Sequence, residues 1–125
     1  MILNLLHRPA VGAENHALYR LQQQYAHELN LKVTLMVDVA CLDDDNIHKE
    51  IIEDSQKYGD EIGLWLFSAT DETGGTGSKF WLLSRENKRR YVEYCLSKFV
   101  LRYGRPPVSV GAYILDRDGM AVVRE

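Results

Sequence analysis

Lys32-Val33-Thr34-Leu35-Met36-Val37-Asp38-Val39 is the stretch on which the fold turns. It is a near-continuous apolar run, rich in β-branched residues and lacking polar alternation. That pattern marks a strand covered on both faces, as in parallel sheets. Upstream, Glu14 to Glu28 reads as a helix. Its expected core stripe is Leu18, Leu21, Tyr25 and Leu29, with Arg20, Gln22, Gln23 and Gln24 mostly on the other side. Asn30 is a stop signal. Before it, Ile2 to Leu6 is a short apolar strand ended by Pro9, and Gly12 loosens the connection. Downstream, Asp43, Asp44 and Asp45 can each cap a helix from about Asn46 to Tyr58, with Ile47, Ile51 and Ile52 inward and Gly59 at its end.

The same alternation continues to the end of the chain. Glu61 to Phe67 is a third strand, and Ser68 to Ser78, with Gly74, Gly75 and Gly77, is a loop. Ser84 opens a long helix to about Arg102 whose stripe is Val92, Leu96, Phe99 and Tyr103. Gly104 stops it, and Pro106 and Pro107 forbid continuation. Val108 to Leu115 is a fourth strand, and Asp118 to Glu125 begins another helix. The order β-α-β-α-β-α-β predicts an α/β fold with a parallel sheet. Four strands do not close a barrel, and an open doubly wound sheet is the competing arrangement. No GxGxxG follows the first strand. Gly74-Gly75-Thr76-Gly77 lacks the Lys-Ser/Thr of a phosphate loop, so nucleotide binding has no motif to rest on.

The 125 residues suit one domain, and the apolar share of 46% allows a packed core. A net charge of −3 argues against a nucleic-acid partner. No apolar run approaches the ~20 residues of a membrane span, and the start Met1-Ile2-Leu3-Asn4-Leu5-Leu6-His7-Arg8 does not read as a signal peptide. Cys41 and Cys95 form neither a disulfide framework nor a zinc spacing, and read as two buried thiols in a cytoplasmic setting.

Three segments together resemble the polysaccharide deacetylase (NodB-like) superfamily. Leu29 to Val37 is similar to that family's second strand. Tyr58-Gly59-Asp60-Glu61-Ile62-Gly63-Leu64-Trp65 looks like its third strand. Tyr103-Gly104-Arg105-Pro106-Pro107-Val108, leading to Val110-Gly111-Ala112-Tyr113, resembles its approach to the fourth. The resemblance covers Leu3 to Asp116. It implies that parallel (β/α) units form the N-terminal half of a (β/α) barrel, in a branch lacking the usual metal-binding histidines. The departures are specific. His7-Arg8 stands where typical members carry an Asp pair, and Leu64-Trp65-Leu66-Phe67-Ser68-Ala69 contains no histidine where they carry two.

Ligands of such sheets bind at the C-terminal ends of the strands. Those ends supply His7 and Arg8, Asp38, Cys41 and Asp43, Trp65 and Phe67, and Asp116 with Arg117. Asp38 and Asp116 are the candidate catalytic carboxylates. His7, Arg8, Trp65 and Arg117 are the candidate substrate contacts, Trp65 by stacking on a sugar face and Arg8 by holding an anion. Each has a structural counter-reading: Asp116 as a helix cap, Trp65 as core, Lys88-Arg89-Arg90 as a solvated helix face, and His16, His27 and His48 as incidental surface residues. His7, Asp38, Trp65 and Asp116 are expected to converge in one cleft.

Two function classes follow. One is a carbohydrate-active hydrolase, deacetylase-like or glycosidase-like, with a divalent metal as an open cofactor. The other is a catalytically inert barrel that binds sugar or serves as a scaffold. Both edge strands are apolar, through Leu3, Leu5 and Leu6 on one and Val108, Val110, Tyr113, Ile114 and Leu115 on the other. Bare edges of this kind invite pairing. Residues 1–125 are therefore expected to be one partial barrel domain, continued beyond residue 125 or completed by another subunit in a homo-oligomer.

Overall fold

The computed structural model describes residues 5–9, 13–67 and 79–124. The glycine-rich segment Ser68 to Ser78 and the start of the first strand lie outside the described residues. Four strands lie in one sheet in the order β1-β2-β3-β4, without a reversal of order. The strands are β1 (Leu5–His7), β2 (Val33–Val37), β3 (Glu61–Leu66) and β4 (Val110–Ala112). The helices are α1 (Ala13–Glu28), α2 (Val39–Leu42), α3 (Asp45–Tyr58), α4 (Arg85–Tyr103) and α5 (Arg117–Arg124), with a 3-10 turn at Phe80–Leu82. The chain divides into two compact units, Met1–Gly63 and Leu64–Glu125.

In the first unit β1 and β2 pair in parallel, with Leu5 beside Val33 and His7 beside Leu35. Val33, Leu35, Met36 and Val37 are all buried, as the unbroken apolar run of β2 requires. The strand stops two residues earlier than the run suggests. Asp38 takes an extended conformation and caps α2, a short helix the sequence reading missed. Asp44 caps α3 through the amides of Asn46 and Ile47, and Gly59 ends it at φ 73°, a left-handed conformation that favours glycine. Asn30 likewise turns the chain after α1 at φ 55°.

The expected core face of α1 is reversed. Leu18, Leu21, Tyr25 and Leu29 are exposed, while Tyr19, Gln23 and Ala26 are buried. Leucine spacing identified a stripe correctly but not which stripe faces inward. Gln23 goes inward because it answers buried polar groups on neighbouring elements, described below.

In the second unit β3 and β4 pair in parallel, Leu64 beside Val110 and Trp65 beside Gly111. Leu64, Leu66, Phe80, Tyr91, Cys95, Phe99 and Val122 form its core. Ser84 caps α4 through the Asn87 amide, and Gly104 ends it at φ 70°. The buried positions of α4 are Lys88, Tyr91, Val92, Cys95 and Phe99. This face is rotated from the expected one, for Leu96 and Tyr103 are only half-buried. The ordered part of β4 is shorter than Val108 to Leu115, and Val108, Tyr113 and Ile114 flank it as exposed residues.

Candidate functional site

The six residues singled out at the strand ends fall into both units, and each group is described within its own. In the first unit, Arg8 and Asp38 follow β1 and β2 and approach each other, with guanidinium Nη2 3.7 Å from carboxylate Oδ2. The other oxygen of Asp38 accepts from the Cys41 amide at 3.0 Å, capping α2. His7 is buried, and its Nδ1 donates to the side-chain carbonyl of Gln23 on α1. Its ring is therefore committed to the helix side of the sheet.

Cys41 lies beside this pair, buried, with Sγ donating to the Pro9 carbonyl at 3.0 Å. Burial first, and then the neighbouring Asp38 carboxylate, pushes its thiol far above the ordinary range. Cys95 is buried on α4, and both cysteines are free. Neither is expected to react with an aromatic disulfide reagent in the native chain, and both should react on denaturation. Rapid native labelling of Cys41 at neutral pH would contradict this. Replacing Asp38 with alanine should cost about 1 kcal/mol in urea unfolding through the lost cap.

In the second unit, Asp116 repeats the same division of labour. Its Oδ1 accepts from the Gly119 amide at 2.8 Å, capping the start of α5, and its Oδ2 accepts from Lys88 Nζ at 2.8 Å. A side chain at Gly119 would press on Asp116 Oδ1 at 3.0 Å and on the Phe80 ring at 3.1 Å, so glycine permits the cap. The hydrogen bond from Lys88, with that from Gly119, holds the Asp116 carboxyl below the usual carboxylate range. Lys88 is 3% exposed, which corrects the reading of Lys88-Arg89-Arg90 as wholly solvated. Trp65 is half-buried in β3, and Arg117 is the exposed first residue of α5.

Two arrangements were not foreseen. The first follows the C-terminal ends of β3 and β4. Trp81, in the 3-10 turn, and Tyr113, immediately after β4, place their ring centroids 5.8 Å apart at an interplanar angle of 33°. Tyr113 is 72% exposed and Trp81 half-buried, so the pair presents one open aromatic ring backed by another. In the sequence Tyr113 reads only as part of the fourth strand and its approach, and Trp81 has no periodicity that would single it out.

The second is a buried polar network in the first unit. Gln23 Nε2 donates to Asp54 Oδ2 at 3.1 Å and to Asp60 Oδ2 at 3.2 Å. Asp54 Oδ2 also accepts from Tyr19 and from Arg20. Asp60 accepts from His27 Nε2 at 2.7 Å and from the Val33 amide at 3.1 Å. The His27 ring stacks on Tyr58 with centroids 3.5 Å apart. His27 is thus a half-buried, bonded residue, not an incidental surface one. Burial, then the Asp54 carboxylate, pushes the Tyr19 hydroxyl far above its ordinary range, so it serves as a donor. An open groove of about 750 Å³ lies over this network, lined in part by Arg20, Gln23, His27, Asp54 and Tyr58.

The described donor set does not suit the divalent metal left open for a hydrolase. Arg8 stands against Asp38, Lys88 stands against Asp116, and the described residues contain no group of three or more His, Cys, Asp or Glu side chains able to share an ion. No helix among the described residues is long and apolar enough to cross a membrane. Comparison of the chain with protein-family models, with curated proteins and with solved structures returns no match.

Proposed function

We propose that the chain binds carbohydrate without hydrolysing it, as an inert barrel-type module of deacetylase-like descent. The observation that carries the reading is the Trp81–Tyr113 pair at the ends of β3 and β4. The exposed Tyr113 ring, backed by the half-buried Trp81, offers an apolar surface to the C–H face of a pyranose, and the phenol of Tyr113 and the Arg117 guanidinium can serve its hydroxyls. The expected contact Trp65, in the same unit, remains part of the proposal at its own strand end.

The chemistry of the carboxylates supports binding over cleavage. A general acid near neutral pH needs a raised pKa, and Asp116 is shifted the other way. Asp38 and Asp116 each give one oxygen to a helix cap and the other to a cation. Asp116 is therefore not poised to donate a proton near neutral pH.

The test is a fluorescence and NMR titration with paired acetylated and deacetylated hexosamine oligosaccharides, alongside an assay for released acetate and reducing ends. Binding is expected without product, and Tyr113→Ala should weaken it at least ~10-fold, as loss of a stacked ring in a binding site does. Its melting temperature should be unchanged because the side chain is exposed. Absence of binding at millimolar sugar, or binding indifferent to both Tyr113→Ala and Trp81→Ala, would reject the reading. Product release that Asp38→Asn or Asp116→Asn abolishes in folded protein would restore the hydrolase.

A further inference from the structure

We infer that the outer face of α1 is the interface between two copies of this chain. Leu18, Leu21, Tyr25 and Leu29 are 61%, 47%, 59% and 69% exposed and form one stripe along the helix. A surface helix ordinarily turns its apolar stripe to the core and its polar face to water. In α1 the inward face carries Tyr19, Gln23 and Ala26, with Gln23 bonded to His7, Asp54 and Asp60. The network fixes the rotation of the helix, so the stripe cannot turn inward without orphaning buried acceptors and donors.

The stripe continues into a shallow groove of about 250 Å³ beside β1, lined among others by Leu5, Tyr25, Ala26, Leu29 and Leu31. With ~150–250 Å² for a whole aromatic side chain, four large side chains exposed over about half to two-thirds present on the order of 400 Å². A patch of ~300–600 Å² is the largest a typical monomer shows, and such patches are often functional.

The occupant is a second copy because the stripe is complementary to itself. In an antiparallel two-fold pairing centred near Gln23, Leu18 of one copy meets Leu29 of the other, and Leu21 meets Tyr25. Such a pairing is isologous and closes without generating a filament. Two stripes remove about 800 Å² of apolar surface. With apolar area making up ~60% of an interface, the total is about 1,300 Å², within the range of stable specific interfaces. The exposed polar side chains of Gln22, Gln24 and Glu28 supply the rim.

The test is the mass of the full chain by light scattering and sedimentation from about 1 to 200 µM. A dimer is expected, and Leu21→Glu with Tyr25→Glu should raise its dissociation constant at least ~100-fold while the helical spectrum is retained. Leu101→Glu, on the exposed face of α4, should leave it unchanged. If the glutamate variant fails to fold, oxidation of a mixture of Leu21→Cys and Tyr25→Cys chains decides. A disulfide between the two chains supports the interface, and its absence at dimer concentrations overturns it. A monomer at every concentration overturns it as well. So does a dimer insensitive to the stripe, such as one broken only by changes at Val108 and Tyr113.

Discussion

Asp60→Ala is expected to lower the unfolding free energy by about 2–4 kcal/mol, because it leaves the buried Val33 amide without an acceptor, at ~1–3 kcal/mol, and removes the partner of the half-buried His27 ring, at ~0.5–1.5 kcal/mol. The Val33 amide opens β2 and donates to Asp60 Oδ1, and the His27 ring donates to Oδ2. The Val33 amide is buried and has no water to turn to, whereas the His27 ring borders the open groove and can be partly served by water. Gln23 retains Asp54 and loses less. Asp60→Asn should fall between, since an amide oxygen can still serve Val33 while its nitrogen faces another donor. A domain holds only ~5–15 kcal/mol in all, so the alanine variant should unfold at markedly lower urea. A loss below about 1 kcal/mol would show that the buried network contributes little.

Asp116→Ala is the second large effect, expected at about 2–4 kcal/mol. It removes the cap of α5, worth ~1 kcal/mol, and leaves the Lys88 ammonium buried without its carboxylate. Breaking a buried pair from one side costs ~3–5 kcal/mol, but Asp116 is 41% exposed, and water moderates the loss. Lys88→Met should be nearly neutral, and Lys88→Met with Asp116→Asn should recover most of what Asp116→Asn alone loses. The dependence on pH has a definite sign. The folded carboxyl of Asp116 is depressed, chiefly by the Lys88 hydrogen bond. Its contribution is present above the unfolded carboxylate value of ~4 and is lost as pH falls through the lower folded value. The gap between wild type and Asp116→Asn should therefore narrow in acid. Solvent screening at this half-exposed group keeps the pH-dependent part small. A gap that widens below pH ~4 would contradict the assignment.

The parallel α/β class was legible because strands and helices alternate and β2 is apolar at every position a double-sided strand buries, whereas the strand order, which an apolar β2 does not decide, came from the structure. Helix ends were legible through chemistry with local causes: Asp44, Ser84, Gly59 and Gly104 act on residues within a turn. The orientation of α1 was not. Four large apolar residues outvote one glutamine in any periodicity, yet Gln23 decides, because its partners His7, Asp54 and Asp60 are remote in sequence. His27 escaped for the same reason. Of the candidate site, Asp116 as a cap was readable from its place before a helix, whereas Lys88 beside it was not. A lysine in a basic run looks solvated until a carboxylate from another element is brought to it.

The buried network also orders events in time. Its members run from position 7 through 19, 20, 23, 27 and 33 to 54 and 60, so most of the first unit must exist before the network can close. During synthesis, a chain that ends before Asp60 has β1, α1 and β2 in hand, yet carries the Val33 amide and the His27 ring with nothing to receive them. Local pieces such as α3 can form early, and Asp54 can engage α1 before Asp60 is made, but the Val33 amide and the His27 ring wait for that later carboxylate. The first unit should thus acquire hydrogen-exchange protection at Val33 together with α1, in one step, rather than strand by strand as each element leaves the ribosome.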